Sequence, residues 1–97
     1  MAVRLVISMR ASPGKGAELA AAMAQRCVEV QREYGCQQFE VFQSALDTDS
    51  LVLLELWADQ EALDAHAQLN QTRPPLTPGL GAEGPMPRED YEYNRTR

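Results

Sequence analysis

The chain has 97 residues, 44% of them hydrophobic and 24% charged, with a formal net charge of −5. That size makes one domain with a modest core, and the acidic balance lacks the basic stripe that nucleic-acid binding requires. No apolar run approaches the roughly 18 residues of a membrane-spanning helix. Arg4, Ser8 and Arg10 interrupt the stretch where a signal peptide keeps an unbroken apolar core, so a cytoplasmic globular protein is expected.

From Val3 to Arg10 apolar residues alternate, with Val3, Leu5, Ile7 and Met9 on one face, which predicts a strand. Ser12-Pro13-Gly14-Lys15-Gly16 breaks it with turn chemistry. Gly-Lys-Gly has neither the spacing nor the Ser/Thr of a phosphate-binding loop. The period then becomes helical over Ala17 to Tyr34, where Leu19, Met23, Cys27, Val30 and Tyr34 form an inward stripe. Gly35 follows as a left-handed cap. Cys27 and Cys36 lack the density of a disulfide scaffold and the spacing of a redox or zinc site, and read as small hydrophobes.

Cys36 to Ser44 reads as a second strand with Phe39 and Val41 on one side. Asp47-Thr48-Asp49-Ser50 turns it directly into a third, Leu51 to Trp57, so the two form an antiparallel hairpin. The third strand is apolar on both faces, with Leu51, Leu53 and Trp57 on one and Val52, Leu54 and Leu56 on the other. Two apolar faces need two layers of cover. The chain's own helices supply one layer, and a second subunit is the economical source of the other. Glu55 lies on the Trp57 side, where a carboxylate needs a partner.

Asp59 is a suitable N-cap for a second helix reaching Asn70, whose stripe of Ala62, Leu63, His66 and Ala67 turns His66 toward the sheet. Residues 72–87 hold Pro74, Pro75, Pro78, Pro85 and Pro87 with three glycines, a long loop of the kind that serves as a lid or a partner arm. Arg88 to Arg95, with Tyr91 and Tyr93 at period two, reads as a last strand. The chain is thus a single α+β domain over 1–97, a ferredoxin-like βαββαβ unit with a four-stranded antiparallel sheet and both helices on one face.

The segments PGKGAEL and EYGCQQFEVFQSALDTDSLVLLELWADQEALDAH, above all Glu55 to Ala62 with Ala65-His66, resemble the antibiotic biosynthesis monooxygenase domain of the dimeric α+β barrel superfamily, over about Val3 to Asn70. The resemblance implies a homodimer whose open sheet faces close on each other. It also implies a small aromatic ligand and, in the quinol monooxygenase-like branch, oxygenation by molecular oxygen without metal or flavin. Carried over, Trp57 matches a pocket-lining tryptophan and His66 a histidine frequent in that branch. A second histidine of that branch is here Gln71, and an asparagine that some oxygenases place four residues before the tryptophan is Leu53, which does not favour an anthrone-type constellation or a haem degrader.

His66 is accordingly the candidate base, since an imidazole takes a phenolic proton near neutral pH. It reads otherwise as a helix histidine bonded to Glu55 or to a backbone carbonyl. Trp57, Leu53, Glu55, Asn70, Arg73 and Tyr91 are the candidate substrate-binding residues, with no metal and no cofactor expected. Two functions stay open: a cofactor-independent monooxygenase of a phenolic, quinol or polyketide-type aromatic, or a non-catalytic dimeric ligand-binding or stress-associated protein of the same fold.

Overall fold

Strict alternation in the third strand organises the molecule. In the computed structural model, which describes residues 1–76 and 78–93, Leu51, Leu53, Glu55 and Trp57 are each at most 5% exposed while the residues between them are half-buried. The elements are β1 (Ala2–Arg10), α1 (Gly16–Val30), β2 (Cys36–Gln43), β3 (Ser50–Trp57), α2 (Gln60–Asn70) and β4 (Arg88–Tyr93). Their sheet order, β2-β3-β1-β4, is antiparallel throughout. This is the ferredoxin-like βαββαβ fold. Residues 94–95, where the sequence extends the last strand, lie outside the described residues.

Both helices cover one face of the sheet. Leu19, Met23, Cys27 and Val30 of α1, with Ala62 and Leu63 of α2, join Val3, Leu5, Met9, Phe39, Leu51, Leu53 and Trp57 in one core. Asp59 caps α2, its Oδ1 accepting the Ala62 N–H at 2.8 Å. At α1 the cap comes from a distance. Asp49, in the β2–β3 turn, accepts the Gly14 and Gly16 N–H groups at 2.9 Å each. The donors that a phosphate would use are therefore occupied by a carboxylate.

The first helix is shorter than its periodicity suggests. It stops at Val30, and Tyr34, expected on the inward stripe, is 89% exposed. The bonds Arg32 N–H to Glu29 O and Glu33 N–H to Val30 O tighten the chain after the helix. Gly35 is left-handed as expected, at φ +79°, but lies several residues past the helix end. The chain thereby passes closely over α2 into β2.

The opposite face of the sheet carries Val6, Val52, Leu54 and Leu56, bordered by Arg4, Gln38, Phe42 and Tyr91. No described element covers it, and Phe42 and Tyr91 are about half exposed, at 48% and 50%. Among the described residues no helix is long and apolar enough to cross a membrane.

Candidate functional site

The Pro/Gly-rich loop is fastened over the end of β1. Ser12 N–H donates to Leu80 O and Ala82 N–H to Arg10 O, both at 2.8 Å, while Ser8 N–H donates to Pro87 O at 2.9 Å. Leu80 is drawn into the core, and Arg26 of α1 donates to Pro74 O at 2.7 Å. These contacts make the loop one wall of a partly open cavity of about 500 Å3 between loop, sheet and α1. Its walls are apolar: Ile7, Met9, Phe39 and Leu53 from the sheet, Leu19 and Met23 from α1, Leu76, Leu80 and Met86 from the loop. The polar lining includes Glu55, His66 and Asn70, with Arg10, Arg26 and Glu83 elsewhere on the wall.

A second cavity of about 310 Å3, lined by Gln60, Leu63, Asp64, Ala67 and Arg88 among others, shares Ile7, Glu55, His66 and Asn70 with the first. Glu55 and His66 thus stand between an apolar chamber and a more polar one.

His66 is 8% exposed and held on three sides. Its ring stacks on Trp57, with centroids 4.7 Å apart and planes at 29°, and Phe39 lies tilted against it at 5.5 Å. Its Nδ1 lies 2.9 Å from Glu33 Oε1. Glu33 in turn accepts from Arg73 Nη2 at 2.6 Å through its other oxygen. Among the described residues His66 bonds neither Glu55 nor a backbone carbonyl, the partners of its alternative reading; Glu55 Oε1 accepts instead from the Trp57 indole N–H at 2.9 Å. Burial pushes the Glu55 carboxyl above the ordinary carboxylate range, and the indole N–H offsets part of that rise.

Of the sequence-derived candidates, the cavity brings together His66, Leu53, Glu55 and Asn70. Trp57 does not line it. With no exposed surface, Trp57 backs His66 and anchors Glu55 instead of forming a wall. Arg73 also stands outside the cavity, holding Glu33. Tyr91 pairs with Arg4 across β1 and so shares the face away from the helices, which removes it from this cavity. Both cysteines are free. Burial first, then the charges of Glu33 and Glu55, pushes the Cys36 thiol up to about 11, which disfavours the nucleophilic thiolate.

Sequence reasoning missed Glu33. The one signal available was a broken local rule: an acid just past a helix C-terminus opposes the helix dipole, and such conflicts concentrate at functional sites.

Among curated proteins none matches this chain by sequence. Solved structures of the same fold are numerous. The chain is similar to PA3566 from Pseudomonas aeruginosa, at 20% identity and a TM-score of 0.78, covering 97% of this chain and 95% of the other. It is similar to SO0527 from Shewanella oneidensis at 25% identity and a TM-score of 0.74, covering 93% and 88%. A candidate antibiotic biosynthesis monooxygenase from Deinococcus radiodurans matches at 17% identity and a TM-score of 0.65, covering 100% and 96%. The sequence profile of the family described as antibiotic biosynthesis monooxygenase matches residues 2–73, about three quarters of the chain. Profile and fold agree, and the chain belongs to the antibiotic biosynthesis monooxygenase family.

Proposed function

We propose that this protein oxygenates a small phenolic, quinol or polyketide-type aromatic with molecular oxygen, using His66 as the base. One observation carries the reading: a carboxylate-held imidazole borders a mainly apolar cavity of about 500 Å3 that the loop walls on one side. That volume lies within the ~300–1,000 Å3 of small-molecule sites. In the proposed reaction the substrate O–H bond breaks, its electron pair stays on oxygen and His66 takes the proton. The resulting anion is electron-rich enough to reduce oxygen directly. When a doubly benzylic CH2 becomes a carbonyl, one atom of O2 is retained and the other leaves as water, so the substrate supplies all four electrons. Ile7, Met9, Met23 and Leu53 surround the anion with apolar side chains, and Asn70, one helical turn beyond His66 on the same lining, donates to its oxygen.

Oxygen uptake by the purified, metal-free protein across a panel of anthrones and naphthoquinols tests this reading. Turnover is expected with at least one, and His66→Ala should lower kcat/KM about 100-fold or more, the usual worth of a positioned base. If no member of the panel is turned over and His66→Ala alters nothing, the oxygenase reading fails. Saturable binding without turnover would instead favour the non-catalytic ligand-binding reading, which the apolar Leu53 in the cavity wall supports.

A homodimer is part of the proposal. Val6, Val52, Leu54 and Leu56 form an apolar strip that a second copy would cover. Sedimentation at micromolar concentration should give a dimer, and Leu54→Glu should give a monomer. A monomeric wild type would refute it.

A further inference from the structure

Glu33 is where three separate parts of the chain meet. It follows α1, and its two oxygens reach α2 at His66 and the turn after α2 at Arg73. The His66, Glu33 and Arg73 side chains are only 10%, 11% and 14% exposed, so water competes weakly for these bonds. His66 lines both cavities, whereas Glu33 lines neither. The Nδ1 edge of the ring is therefore turned away from the cavities, and the edge bearing Nε2 is the one left to face them.

The chemistry of the three groups fixes where the protons sit. Arg73 is a donor only, and it is bonded to Glu33 Oε2. A carboxylate accepts only, so the hydrogen between Glu33 and His66 belongs to Nδ1. We propose that Glu33, held from behind by Arg73, is a positioning residue that keeps neutral His66 as its Nδ1–H tautomer and presents the Nε2 lone pair to the cavity. The kinetic part of this inference rests on the oxygenase reading; the tautomer does not. In that reaction the substrate proton joins Nε2, and the imidazolium that results keeps its Nδ1–H on the Glu33 carboxylate.

Glu33→Gln separates this role from mere packing, because it preserves shape while Arg73 dictates the orientation of the new amide. Arg73 needs an acceptor, so the amide oxygen turns toward it and the NH2 group faces His66. Nδ1 must then accept, and the proton moves to Nε2, the atom that has to be bare.

The chain has one histidine, so an imidazole-labelled sample gives one set of ring-nitrogen signals in an NMR spectrum, with no assignment problem. In the neutral form the wild type should carry its proton on Nδ1, and Glu33→Gln should move it to Nε2. The same variant should lower kcat for oxygen uptake about 100-fold, with KM for the aromatic nearly unchanged because Glu33 does not line the cavity. A wild type protonated on Nε2 in its neutral form overturns the proposal without recourse to any variant. So does a folded Glu33→Gln protein whose tautomer is unchanged. A wild type that holds the Nδ1 proton yet turns over no substrate upholds the tautomer assignment and counts only against the oxygenase reading.

Discussion

Trp57→Ala is expected to destabilise the domain by about 4 kcal/mol, the range for emptying a fully buried indole site. At ~4–8 °C per kcal/mol for a domain of this size, the melting temperature should fall by roughly 16–32 °C. The loss has two physical parts. One is the cavity left between Phe39, which meets the indole edge-on at 6.4 Å, and His66, which stacks on it. The other is Glu55, which loses the N–H that supports its buried charge. Trp57→Phe should recover most of the first part and none of the second.

The two parts separate by pH. Burial holds the Glu55 carboxyl above its ordinary value of 4.5, and the indole N–H favours the ionised form. Removing the indole harms the ionised state more than the protonated one. The destabilisation by Trp57→Phe should thus be smallest below the raised folded value of the wild type, grow above it, and be full only above the still higher value of the variant. Urea melts followed by circular dichroism across pH measure it; a destabilisation that does not vary with pH would remove Glu55 from the account.

Gly35→Ala should cost about 3 kcal/mol. Gly35 holds φ +79°, a left-handed conformation that costs a side-chain-bearing residue ~1–2 kcal/mol. A methyl group there would also lie 2.4 Å from the Ala62 Cβ, an overlap that forces α2 away from the sheet at a further ~1–3 kcal/mol. The double variant Gly35→Ala with Ala62→Gly relieves the overlap and leaves the backbone strain. It should therefore be more stable than the sum of the single changes predicts. Strict additivity in denaturant melts would show that the two residues do not press on each other. Ala62 lies one helical turn before His66, so the same displacement should also loosen the histidine's stack on Trp57.

Period-two and period-3.6 patterns carried the element order, the hairpin and the inward stripe of α1 as far as Val30, because these follow from local spacing alone. The site was legible only in part. That His66 and Glu55 face inward follows from their stripes, yet which acid would hold the histidine depends on how the chain leaves α1. That path runs where Gly35 passes so close to Ala62 that a side chain would not fit, an approach between distant segments. Tyr91 fails for a related reason. Alternation says that Tyr91 and Tyr93 share a face, but which face depends on the register with β1, where Tyr91 falls opposite Arg4. Trp57 was recognisable as central, while its place behind the histidine emerges only from packing.

The pairing of Trp57 with His66 has a practical consequence. These are the chain's one tryptophan and one histidine, and their rings lie face to face. A protonated imidazole in contact with an indole quenches its emission far more strongly than a neutral one. The protein therefore carries its own optical indicator: ultraviolet fluorescence, without any label, reports the charge on a single side chain. Rapid mixing with an aromatic acid would let that signal follow the arrival of a proton at the imidazole in real time.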